Sequence, residues 1–168
     1  ECPVHQHDYS ELVIVDKGEG KHVIENQDYY VKKGDVFVIK GNTTHTYIET
    51  NNFYIYNICF KKNKLLKREN ELKKLPGFQI LFVLEPFFRS KHNFNSKLKL
   101  SLDDFKYVQK MTEIMLKEYK KENKNFKTKV YSYFKSLIIF LSQKYEMNNS
   151  NEKSNELLRL ANTISFME

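Results

Sequence analysis

Tryptophan is absent from this chain of 168 residues, and cysteine, proline and glycine are scarce, at two, three and five. Cys2 and Cys59 alone cannot build the disulfide framework of a small secreted domain, so reduced thiols in a cytoplasmic protein are expected. Cys59, in the apolar run Ile58-Cys59-Phe60, reads as a small core residue. No apolar run reaches the length of a membrane span, and no signal peptide precedes His5. There is no arginine cluster and no internal repeat. The net charge of +7 divides into −4 over residues 1–60 and +11 over residues 61–168. The basic half is mostly Lys interspersed with Asn and Glu at helical spacing. It therefore reads as solvated helix faces and not as a surface that reads DNA.

What is present is enough for a core. Apolar residues make up 40% of the chain, with 11 Tyr and 13 Phe, which excludes a disordered tail. A first residue of Glu instead of Met suggests a piece of something longer. Residues 10–60 read as six short strands: Ser10 to Val15, Lys21 to Glu25, Tyr29 to Lys32, Val36 to Ile39, His45 to Glu49 and Phe53 to Phe60. Turn chemistry recurs between them, including Gly18, Gly34-Asp35 and Asn51-Asn52. Strands this short and regular indicate an antiparallel sandwich or barrel.

Helical character follows. Asn63 to Leu75 is a charged helical segment stopped by Pro76-Gly77, and Gln79 to Glu85 reads as a further strand ended by Pro86. Ser101 is an N-cap for a helix running to about Glu122, with Asp103 and Asp104 in its first turn. Val130, Phe134, Leu137, Leu141 and Tyr145 mark a second helix from Phe126. The expected division is a β-barrel over 1–100, a helical hairpin over 101–147, a polar linker over 148–155 and an amphipathic helix over 156–168. That last helix is marginal alone and suggests that a further domain follows.

The chemistry concentrates near the start. His5, His7, Glu11 and Gly18 form His-x-His-x3-Glu-x6-Gly, and Gly34 and His45 form Gly-x10-His. On one straight strand His5 and Glu11 would lie roughly 20 Å apart. A shared site therefore requires a bend at Asp8-Tyr9-Ser10. His5 and His7 would then share a face, and Glu11 and His45 would each begin a strand. Imidazoles with a carboxylate suit a divalent transition metal (Zn, Ni, Mn, Fe or Cu) or a polar small molecule. Tyr9, Tyr30 and Tyr47 are candidate aromatic walls. His22 and His92 match no motif and read as structural or surface residues.

The spacing of His5, His7, Glu11 and Gly18, with Gly34, Asp35 and His45, resembles the two motifs of the cupin family. Lys40-Gly41-Asn42 stands where cupins usually carry Pro-x-Gly. The stretches His7 to Val15, Gly34 to Ile39, Thr44 to Tyr47, Leu84 to Arg89 and Leu160 to Glu168 are similar to the amino-terminal effector domain of AraC/XylS-type bacterial transcription regulators. The rhamnose-responsive members are the nearest likeness. The resemblance implies a mainly β fold with C-terminal helices: a cupin-type antiparallel β-barrel (double-stranded β-helix) followed by a helical hairpin. It also implies a small effector, often a sugar, bound in the barrel by His5, His7, Glu11 and His45, directly or through a metal. Homodimerisation through the helices is implied too, with DNA contacted by a separate C-terminal helix-turn-helix domain. The role the resemblance implies over residues 1–100 is that of a sensor and not an enzyme, with no membrane partner. Two alternatives stand beside it: a metal-dependent cupin enzyme (dioxygenase or sugar isomerase) and a pure assembly module.

Overall fold

A single long strand, β1 (Ser10–Ile24), organises the sheet. The computed structural model describes residues 3–25, 27–90, 97–148 and 159–163. The end of β1 pairs with β2 (Gln27–Lys32), and its start with β3 (Asp35–Ile39). Its other edge pairs along its length with β4 (His45–Phe60). A short β5 (Leu98–Lys99) extends the sheet beside β3, and every pairing is antiparallel.

Where the sequence suggests two pairs of short strands, the structure has two long ones that bend together. The β1–β4 register slips between Val15 and Lys21, and these bulges curl the ribbon into a half-barrel. Gly18 makes the bend possible. Its φ is +67°, and a Cβ there would lie 2.2 Å from the Asn51 carbonyl oxygen.

Side chains alternate across this curled sheet. Val13, Val15, Val31, Phe37, Ile39 and Tyr47 form the apolar lining of the concave face. Leu12, Ile14, Val36 and Val38 point the other way and join the helices in the larger core. Cys59 corrects the sequence expectation of a core residue: it is exposed. Ile58 and Phe60 face the helical core, so strand parity turns Cys59 toward the open side, with its Sγ 3.8 Å from Glu11 Oε1.

After β4 come α1 (Lys62–Arg68), a 3-10 turn (Asn70–Lys74), α2 (Pro76–Gln79) and α3 (Glu85–Ser90). The stretch from Gln79 to Glu85 is a second correction, because it is helical and not a strand. Ile80–Leu84 forms a wide π turn between α2 and α3, marked by the Glu85 N–H donating to the Ile80 carbonyl. An apolar run this short has no period that separates a buried strand from a buried helix. Phe78, Ile80 and Leu81 are fully buried, so the run packs on all sides. Pro86 does not stop the helix. The wide turn shifts the ladder just before it, and its missing N–H falls in the first turn of α3.

Two longer helices, α4 (Leu102–Lys121) and α5 (Phe126–Asn148), cover the convex face. Ser101 caps α4, its Oγ accepting from the Asp104 N–H at 3.2 Å. Ion pairs Lys144–Asp104 and Lys129–Glu118, one near each end, show the two helices side by side in opposite directions. Residues 159–163 are helical, and Ala161 is fully buried in the same core as α4 and α5. The expected linker at 148–155 lies almost wholly outside the described residues, as do His92, Cys2 and most of the terminal helix.

Candidate functional site

The segment ahead of β1 is sewn to the start of β4. The His5 N–H donates to the His45 carbonyl at 3.1 Å, and the His45 N–H returns the bond to His5 at 3.0 Å. The Asn42 N–H holds the His7 carbonyl at 2.6 Å. Gly41 lets this loop lie against the chain, since a Cβ there would sit 3.1 Å from the Asp8 carbonyl carbon. The chain bends at Asp8 and Tyr9 and re-enters as β1 at Ser10. Three stretches thereby bring His5, His7, Glu11 and His45 together.

Each imidazole is fixed by its Nδ1. His5 Nδ1 lies 2.8 Å from the Pro3 carbonyl oxygen, His7 Nδ1 2.7 Å from that of Tyr9, and His45 Nδ1 3.0 Å from that of Thr43. A carbonyl oxygen only accepts, so all three Nδ1 atoms carry the proton, which leaves Nε2 as the nitrogen with a lone pair on each neutral ring. One ligand atom from each of these histidines lies within 4.8 Å of the others. Glu11 joins through two of them, with Oε1 3.1 Å from His7 Nε2 and Oε2 3.4 Å from His45 Nε2.

The electrostatics explain what the group requires. A neutral Nδ1–H imidazole turns its Nε2 lone pair toward the carboxylate, which is repulsive unless a cation intervenes. A proton is one answer. Burial alone would lower the His45 pKa, but the Glu11 carboxylate and the Thr43 carbonyl raise it above the ordinary imidazole value. Burial alone would raise Glu11, yet hydrogen bonds from His45 and Asn57 and the imidazole charges hold it down at about 2. A divalent metal is the other answer. Nitrogen donors with preset tautomers, converging beside an ionised carboxylate, fit such an ion, and the backbone carbonyls behind them are the usual outer support.

A cavity of about 290 Å3 opens from this cluster into the half-barrel. His5, Glu11 and His45 form its polar wall; Tyr47, Phe53 and Ile55 form the apolar one, and Thr50 and Asn57 complete it. Of the three candidate tyrosines, Tyr47 lines this cavity. Tyr9 supports the cluster from beside it, its ring stacked on His7 at 4.0 Å. Tyr30 is not brought in: it is 51% exposed, and its hydroxyl donates to Glu19. Tyr29 and Val31 on either side take the inward positions of β2.

Sequence reasoning missed Asn57, Thr50 and the depth of His22. Asn57 pairs with Val13 and so shares its inward face, a parity hidden by the bulges in β4. His22 is fully buried, with its ring 4.7 Å from Tyr47, 5.0 Å from Phe37 and 5.8 Å from His45. Burial first, then the Arg89 and His45 charges, keep it neutral well below its ordinary pKa. Beneath it Arg89 of α3 places its guanidinium 5.2 Å from the Tyr29 ring and 5.0 Å from Phe37, paired with Glu85. No helix among the described residues is long and apolar enough to cross a membrane.

The chain is similar to known proteins. The family model for the AraC-like ligand binding domain matches residues 1–94. The HTH-type transcriptional activator RhaR of Salmonella arizonae is 35% identical over 75 residues, covering 45% of this chain and 27% of that protein. RhaR of Salmonella paratyphi B and of Salmonella newport match with the same identity and coverage. The chain thus spans about a quarter of the length of these curated relatives. Among solved structures, the plu4264 protein from Photorhabdus luminescens aligns with a TM-score of 0.35 and 29% identity, over 44% of this chain and 63% of that one. With more than half of its length matched by that family model, the chain belongs to the AraC-like ligand binding domain family.

Proposed function

We propose that this chain is the effector-sensing part of a bacterial transcription regulator, and that its effector is a small polar molecule, a sugar by preference, bound in the half-barrel cavity. One observation carries the reading: His5, His45 and an ionised Glu11, clustered with His7, form one wall of a cavity whose other wall is aromatic and aliphatic. Such a lining suits a ligand with hydroxyls on one side and C–H surface on the other. The names of the matched relatives, transcriptional activators of the helix-turn-helix type, support the regulatory context. Binding, not turnover, is the role assigned.

His5, His7, His45 and Glu11 would hold a divalent metal such as Zn, Ni, Mn or Fe. The bound ion would supply a Lewis-acidic centre for ligand oxygens. The protein's own residues do the rest: the backbone carbonyls orient the rings, Asn57 steadies Glu11, and Tyr47 and Phe53 exclude water from the apolar side.

A sensor signals only if its ligand favours one arrangement over another. β4 is suited to carry that bias. Ile55 and Asn57 touch the cavity, while Ile58 and Phe60 pack on the helical core. In this reading α4 and α5 mediate homodimerisation and the segment after Asn148 leads to a DNA-binding helix-turn-helix domain. The test is thermal unfolding with a panel of sugars, with and without added metal. A stabilising sugar is expected, and His45→Ala should abolish its shift. A sugar that stabilises wild type and variant equally would refute this pocket.

A further inference from the structure

On the far side of β4 from the effector cavity lies a larger one, of about 700 Å3, between β4, α1 and the ends of α4 and α5. Its floor is apolar: Ile58 and Phe60 from β4, Leu65 from α1, Met115 from α4, and Val130 and Phe134 from α5. Its rim is cationic. Arg68 lies 4.2 Å from the Tyr131 ring centroid, close enough for its charge to act on Glu69, and Lys127 lies 5.9 Å from that of Phe126; both are held against aromatic walls, and neither makes an ion pair among the described residues. Lys64 has no ion-pair or hydrogen-bond partner among the described residues. Lys61 is engaged by Asp8, and Glu122 is the acidic residue of the lining.

The geometry points to a second ligand site here, for an anionic amphiphile: a free small molecule with an apolar body and one carboxylate head. The volume falls within the ~300–1,000 Å3 usual for small-molecule sites. An apolar body on this floor would continue the packing of the core beneath it. A carboxylate at the rim would meet three cations, Lys64, Arg68 and Lys127, that make no ion pair among the described residues, and Arg68 can take it bidentately. An uncharged ligand would leave them unmatched. The site is independent of the effector cavity, but β4 is the wall between them.

Isothermal titration with octanoate and decanoate, below micelle-forming concentrations, tests this. Saturable one-to-one binding is expected, with 1-octanol at least about tenfold weaker than octanoate. The double variant Lys64→Glu, Arg68→Glu should also bind at least about tenfold more weakly, which is what two exposed ion pairs are worth together. Both side chains are exposed, so the fold is retained. In spectra of protein carrying 13C-methyl methionine, Met115 should shift while the core residue Met111 and the exposed Met147 hold still. Absence of saturable binding would overturn the proposal, as would undiminished binding by the double variant or shifts that spare Met115. Binding only to anionic phospholipid vesicles would replace it with a membrane contact. Self-association abolished by the same two substitutions, with no octanoate bound, would replace it with an interface between copies.

Discussion

His45 Nε2 stands 3.4 Å from Glu11 Oε2, and both side chains are almost wholly withdrawn from solvent. The two residues begin strands that are far apart in sequence, and the bridge between His5 and His45 closes the gap. Because Nδ1 of His45 is committed to Thr43, the face turned to Glu11 has to share a cation with it. Glu11→Gln tests this. The amide keeps the shape but removes the charge, and its N–H2 can donate to the very Nε2 atoms a metal needs. Affinity for Zn or Ni is expected to fall by about 100-fold or more, beyond the ~10–100-fold typical of losing an outer-shell partner. Metal analysis and titration of tag-free protein measure it, and circular dichroism should show the fold unchanged.

Parity decides which tyrosine matters. Tyr47 lines the cavity and Tyr30 does not. Once a stabilising sugar is in hand, Tyr47→Ala should weaken it by about 1 kcal/mol or more through the lost aromatic wall. Tyr30→Ala should change nothing beyond error. Calorimetric titration of both variants checks the pair, and equal effects would place the ligand elsewhere.

Gly77 fixes how close α2 comes to α5. A Cβ there would fall 2.0 Å from the Ser142 carbonyl oxygen, which is backbone and cannot yield. The Gly77 N–H also donates to Glu146 Oε1 at 2.7 Å. Gly77→Ala is expected to destabilise by more than about 3 kcal/mol, among the largest single-residue effects. Urea unfolding measures this, and Gly34→Ala is a useful contrast. At Gly34 a Cβ would make only ordinary contacts, no closer than 3.5 Å to Lys99 Nζ, so only its φ of +84° opposes the change.

What could be read from the chain alone follows from how local each signal is. The cap at Ser101 and the spacing of Val130, Phe134, Leu137 and Leu141 act within a few residues, and both helices fall where that periodicity puts them. The histidine spacing with Glu11 was legible because β-strand parity and one obligatory bend leave few ways to bring such groups together. Asn57 and Cys59 were not, because their orientation depends on bulges set by pairing with β1. Tyr30 was misplaced by the same one-residue ambiguity. The run around Ile80 was misread because burial on all sides erases periodicity, and His22 carries no motif because its role is packing against Phe37 and Tyr47.

The last expectation concerns pH. Glu85 is fully buried beside Arg89 and its Oε2 has no hydrogen-bond partner among the described residues. Burial raises its pKa to about 7, against the lowering pull of Arg89 and Lys97. An acid whose pKa is higher in the folded state binds more protons there than in the unfolded chain, where the value is ordinary. Stability contributed by the protonated form is therefore complete below the unfolded pKa near 4.5, and it declines as pH climbs toward 7. Above that the contribution is flat. Thermal midpoints measured from pH 4.5 to 8 should carry this falling component, and Glu85→Gln should remove it. The variant also removes the carboxylate opposite Arg89 and so shifts the midpoint itself, which makes the slope, not the absolute value, the quantity that decides. A slope unchanged by Glu85→Gln would mean that Glu85 stays ionised in the fold, with Arg89 outweighing burial.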